Sequence, residues 1–211
     1  MIGWSAAAGV VVIALGMVLT PGPNMVYLAS RSISQGRRAG LVSLAGVALG
    51  FGAYLLAAAV GLGQLFSAVP ITYDIVRFAG AIYLGYLAWQ MLRPGGRSPF
   101  EVRELAPHSS ARLFTMGAVT NLLNPKIALM YGALLPQFVR PRAGAPWLQF
   151  LQLGGLQIVV AVTVNGLIVL AAARVAGYLR RHPRVLKVQR IAAGATLGGF
   201  AVKIATSART A

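Results

Sequence analysis

Residues 4–28 read WSAAAGVVVIALGMVLTPGPNMVYL, an uncharged stretch long enough to cross a bilayer and interrupted near its end by Thr20-Pro21-Gly22-Pro23-Asn24. About 20 apolar residues span the roughly 30 Å hydrocarbon layer as a helix. Proline lacks an N–H and clashes with the turn before it, so Pro21 and Pro23 deprive the carbonyls of Met17 and Leu19 of helical partners. Gly22 adds backbone freedom between them. In lipid, each free carbonyl costs several kcal/mol unless protein or a wet cavity satisfies it. The expected structure is therefore a helix that unwinds at membrane depth and restarts at Pro23, since proline suits the first helical position.

The rest of the chain fits that start. It has 211 residues, 57% hydrophobic and 10% charged, against about 25% charged in a soluble domain, and its mean hydropathy is +0.73. Six apolar segments stand out at about 4–28, 41–66, 75–92, 113–139, 147–173 and 191–208. They are too long and too continuous for barrel strands. The expected fold is an all-α integral membrane domain of about six transmembrane helices over residues 1–211. The first segment, which begins Met-Ile-Gly-Trp without a positive n-region, is expected to be a retained crossing rather than a cleaved signal.

The net charge of +16 lies in the gaps between the apolar runs, not along a nucleic-acid-binding face. The first gap holds Arg31, Arg37 and Arg38, and the third holds Arg93, Arg97, Arg103 and Arg112. The fifth holds Arg174, Arg180, Arg181, Arg184, Lys187 and Arg190. The opposite side has Arg77, Arg140, Arg142, Lys203 and Arg209. The positive-inside rule makes gaps one, three and five cytoplasmic and puts both termini outside. Lys203 can snorkel on its long stem, and Trp4, Trp89 and Trp147 suit the interfacial belts.

A second break falls in the fourth segment, at Asn121-Leu122-Leu123-Asn124-Pro125-Lys126, where Pro125 frees the carbonyl of Asn121. At about 1.5 Å per residue, Lys126 is roughly 20 Å from the cytoplasmic start of its helix and the first break roughly 15 Å from Arg31. Both breaks are thus at middle depth, and Lys126 is the only deep charge. A charge there costs about 2.5–3.5 kcal/mol on insertion scales and is functional by default. Gly80-Ala81 and Gly85-Tyr86 reappear 114 positions later as Gly194-Ala195 and Gly199-Phe200. The expected plan is a 3+3 inverted repeat with broken helices 1 and 4, the halves being about 1–92 and 113–211 and the basic linker 93–112. Paired interruptions at matching positions point to a transporter site. Small residues four apart, such as Gly46 and Gly50 or Gly194 and Gly198, permit close helix contact and would suit a homodimer.

These residues resemble the lysine exporter and homoserine/threonine efflux (LysE/RhtB) family. Thr20-Pro21-Gly22-Pro23-Asn24, then Gln35-Gly36-Arg37-Arg38-Ala39-Gly40 and the glycines Gly46 and Gly50, look like its N-terminal signature. Asn124-Pro125-Lys126 followed by Leu135-Pro136-Gln137-Phe138 looks like its second. The resemblance implies export of amino acids or close derivatives across the bacterial inner membrane, driven by an ion gradient, commonly protons. A zwitterion needs a cation and N–H donors for its carboxylate, and acceptors for its ammonium. Pro21, Gly22, Pro23, Asn24, Asn121, Asn124, Pro125 and Lys126 are the binding candidates, with Gln137 and Asn165 behind them.

The three carboxylates, Asp74, Glu101 and Glu104, fall in loops or at helix ends, so a mid-membrane carboxylate relay is not expected. Coupling is assigned to Lys126 as a switchable charge or to Asp74 at the outer mouth. There is no cysteine, and His108 and His182 stand apart in basic loops. No metal, cofactor or catalytic set is therefore expected. A metal or small-cation exporter would want deep carboxylate, His or Cys ligands, and a membrane enzyme would want a Ser/His/Asp set or a phosphate loop. A non-transporting assembly subunit is the remaining rival.

Overall fold

Proline decides where the first helix stops. In a computed structural model that describes residues 2–20, 22–62, 78, 81–82, 85–86, 88–95, 105–140 and 143–206, helix α1 covers Trp4–Leu19 and α2 covers Pro23–Gln35, bent by 54° from it. Pro23 opens α2, as its fixed φ favours. The second helix outruns the expected end of the first segment, and only Gly36 separates it from α3, Arg37–Ala57. Gly36 has φ +86°, a left-handed value that side chains with a Cβ rarely adopt. Arg31 is therefore no loop residue. It lies on α2, 7% exposed, with its guanidinium donating to Gln35 Oε1 (3.3 Å) and to the Ala106 carbonyl (3.2 Å). Gln35 Nε2 also donates to the His108 carbonyl (3.1 Å), so the 105–109 strand of chain is tied down on α2.

After α3 a π-helical turn covers Ala58–Leu62. Of the expected third crossing, residues 78, 81–82, 85–86 and 88–92 are described and helical; the rest, and Asp74 before it, lie outside the described residues. Helix α4, Ser110–Leu122, opens with the Ser109 hydroxyl accepting from the Arg112 N–H. A short α5, Pro125–Leu129, follows the second break, then a π-helical turn Met130–Leu134 and a 3-10 turn Leu135–Phe138. The expected 113–139 helix is thus four pieces, because Pro125 and Pro136 each deny the backbone a donor.

Helix α6 runs Pro146–Arg181 and α7 runs Pro183–Thr206. The basic stretch 174–190, expected as a loop, is instead two helix ends meeting at His182. Nothing between Ala173 and Arg181 breaks a helix, and Pro183 can start the next. No strand occurs among the described residues. Two helical stretches, Arg37–Gly61 and Pro146–Tyr178, are long and apolar enough to cross a membrane, and the bent α1–α2 pair makes a third if it is one span. Outward-facing Val12, Leu49, Leu56, Val159 and Leu167 are exposed, as a lipid-facing surface requires.

Glycines set the closest contact. On α3, a Cβ at Gly46 would overlap the Phe114 carbonyl; on α4, a Cβ at Gly117 would overlap the Ser43 carbonyl. The two backbones touch reciprocally, as small residues allow in lipid. A Cβ at Gly50 would press on the Asn121 side chain, and one at Gly194 on Leu92 and Met91. These small-residue faces are used inside the chain. Around them lies a core of Val10, Leu28, Val47, Phe51, Tyr131, Leu153 and Val169.

Candidate functional site

The two breaks meet. Asn124 caps α5, its Oδ1 accepting the Lys126 N–H (3.1 Å), with Pro125 in the first turn. That turn carries Lys126 toward the end of α1, where its Nζ donates to the Met17 carbonyl (2.5 Å) and the Thr20 carbonyl (2.7 Å). Pro21 is outside the described residues, but its lack of an N–H explains why Met17 is available. The other acceptor is Thr20; the Leu19 carbonyl, expected to be freed by Pro23, is not one of the two. The ammonium thus sits at the negative end of the α1 dipole, 7% exposed. The carbonyl of Asn121, expected to be freed by Pro125, accepts the N–H groups of Asn124 and Leu123 instead.

Gly22 makes the approach possible. It has no Cβ, and one placed there would stand 3.0 Å from Lys126 Nζ and 3.3 Å from its Cε. No carboxylate answers the ammonium among the described residues, since all three acids of the chain lie outside them. Nor do three of His, Cys, Asp or Glu gather anywhere among them.

Beside Lys126 is a cavity of about 30 Å³. By the rule that about 10–15 Å³ of such space holds one water, it has room for about two. It is lined by Ala14, Met17, Val18, Gly22, Asn24, Met25, Phe51, Asn124, Lys126, Ile127, Met130, Gln157, Ala161 and Asn165. Asn24 Oδ1 and Asn124 Nδ2 are buried there without hydrogen-bond partners among the described residues. Unmade bonds of this kind cost about 1–3 kcal/mol each, so each of the two atoms calls for a partner that the described residues do not supply.

The expected residues are not all brought together. Gly22, Asn24, Asn124, Lys126 and Asn165 line the cavity; Pro23 and Pro125 hold the helix starts behind it. Asn121 is fully buried against Gly50, with neither amide atom partnered, and is not part of the lining. Gln137 lies on the 3-10 turn away from the cavity, its Nε2 donating to the Ala133 carbonyl (2.9 Å). Gln157 was not foreseen. Its signal was an amide four residues ahead of Ala161 and eight ahead of Asn165, one face of an otherwise apolar helix.

Comparison with known proteins bears on the family of the chain. The family model of LysE type translocators matches residues 15–208. An uncharacterized membrane protein of Pseudomonas aeruginosa is 31% identical over 97% of this chain and 94% of its own. The homoserine/homoserine lactone efflux proteins of Salmonella typhimurium and Salmonella typhi are 35% and 36% identical, over 83% of this chain and 84% of theirs. No solved structure matches the chain. With two broken helices joined by a buried lysine, and a family match over nearly its whole length, the chain belongs to the LysE type translocators, a family of membrane transporters.

Proposed function

We propose that this protein exports amino acids or close derivatives, homoserine and its lactone first among them, across the bacterial inner membrane in exchange for protons. The observation that carries the proposal is the convergence of two interrupted helices on Lys126 and a cavity of uncommitted amides. The restarted helix α2 turns first-turn N–H groups without intrahelical partners toward the break, where a carboxylate is welcome, whereas those of α5 are already met by Asn124. Asn24 Oδ1 offers the ammonium an acceptor. Apolar Met17, Met25, Phe51 and Met130 line the cavity as a small neutral side chain would require once the helices part to admit it.

The wider plan is a single domain of six crossings in two inverted halves, with gaps one, three and five cytoplasmic and both termini outside. Alternating access then parts the halves around a fixed site. Coupling runs through Lys126 or through Asp74. A homodimer is the assembly to look for, although the glycine faces described above already have partners in the chain.

The test is transport by purified protein in sealed vesicles loaded with a panel of radiolabelled amino acids under an imposed pH gradient. Flux of a neutral amino acid that falls at least tenfold in Lys126→Met is the expected result. A correctly inserted protein that moves no amino acid would overturn the proposal. Flux of a neutral amino acid that does not respond to the pH gradient would remove the proton exchange alone.

A further inference from the structure

Gln157 and Asn165 stand two turns apart on α6, and each has one end of its amide already engaged. Asn165 Nδ2 donates to the Ala161 carbonyl (2.9 Å), which leaves its oxygen for the cavity. Gln157 is the reverse: its Oε1 accepts the Tyr131 hydroxyl at 2.6 Å, which leaves its nitrogen. Turned around, the amide could still donate to the phenolic oxygen, but the phenolic hydrogen would be left without an acceptor in a buried place. The orientation is fixed from behind as well. Tyr131 is fully buried in the π-helical turn Met130–Leu134, and turns of this type recur at functional sites. Its ring stacks on Tyr54 at 5.7 Å and 19°. The Tyr54 hydroxyl donates to the carbonyl of Leu122 (2.8 Å), at the edge of the second break. Gly154, one turn before Gln157, leaves room for the ring: a Cβ there would stand 3.3 Å from Tyr131 Cε1.

We infer that Gln157 sets the specificity of the cavity for a carboxylate: its amide nitrogen, turned inward by the Tyr131 hydroxyl, receives the carboxylate of the transported amino acid. Tyr131 is a positioning residue and touches no substrate. Two of the three N–H donors of Lys126 are spent on Met17 and Thr20, so the lysine alone cannot cradle both carboxylate oxygens. Gln157 Nε2 and Asn124 Nδ2 supply the neutral donors, while Asn24 and Asn165 oxygens face the ammonium. This assignment rests on the export proposed above and adds which wall of the cavity reads the acid group.

The experiment compares L-homoserine, which has a carboxylate, with L-homoserine lactone, which has none, as labelled substrates of the full-length protein in vesicles. Gln157→Glu keeps the shape and the bond from Tyr131 but puts an oxygen where the nitrogen was. The ratio of homoserine to lactone transport is expected to fall at least tenfold. Gln157→Met, which removes the donor without adding charge, reads the same ratio if the glutamate variant does not insert, and is expected to lower it severalfold. Tyr131→Phe is expected to raise KM for homoserine severalfold with kcat held and KM for the lactone unmoved. An unchanged ratio in the Gln157 variants, or an equal rise in both KM values in Tyr131→Phe, overturns the inference while leaving export intact. Wild-type protein that moves neither compound nor any amino acid overturns export itself.

Discussion

Lys126 holds the site together at the scale of single residues. Its ammonium bridges the C-terminal carbonyls of α1 from the first turn of α5, so one side chain links the two interrupted helices. A compact point charge with three donors suits that task. Gly22 is the complement. Its backbone is extended (φ −163°), which any residue can adopt, so Gly22→Ala tests space alone. A methyl 3.0 Å from Nζ forces the pinned lysine off at least one carbonyl. Transport in vesicles is expected to fall severalfold, with protein yield and helix content by circular dichroism unchanged. An active Gly22→Ala would show that the lysine has slack to give.

The elements of this fold are built where sequence denies the helix its bonds or grants it contact. The reciprocal glycines of α3 and α4 are the second case. Gly117→Ala sets a methyl against the Ser43 carbonyl, and overpacking of this kind costs about 1–3 kcal/mol. A lower thermal midpoint in detergent is the expected readout, and an unchanged midpoint would mean that α3 and α4 are not locked. Gly36→Ala acts on the junction of α2 and α3. The φ of +86° makes it strained, at about 1–2 kcal/mol, and a smaller drop in midpoint is expected. The breaks were legible because proline chemistry is local: Thr20 to Asn24 and Asn121 to Lys126 declare themselves without neighbours. Contacts over long separations were not. That Lys126 would reach Met17 and Thr20, or that Gln157 would line one cavity with Asn24, depends on how α1, α2, α5 and α6 cross. Helix ends were misjudged for a related reason. Hydropathy marks what lipid covers, whereas α2 and α6 continue beyond it into basic turns that break no backbone rule.

Over the whole molecule, charge is expected to orient the chain. Arg37 and Arg38 open α3 at one end, and Gly144 and Ala145 precede α6 at the other. Arg38 and Ala145 are both exposed, and the chain has no cysteine of its own. Arg38→Cys and Ala145→Cys are therefore clean single labels. A membrane-impermeant maleimide added to intact cells is expected to reach position 145 and not 38, with the reverse in inside-out vesicles. Labelling of both from one side would overturn the assignment of the gaps.

The small cavity has a consequence for the cell that makes the protein. Space for about two waters, lined by Met17, Phe51 and Met130 beside the Lys126 bridge, is too small for an amino acid to pass. A resting copy is therefore expected to act as a plug that neither short-circuits the membrane potential nor lets the cytoplasm drain, with each solute let through singly when the helices move apart. Abundant expression should thus be harmless to growth in the absence of substrate, and the yield of exported compound should plateau with concentration instead of rising without limit.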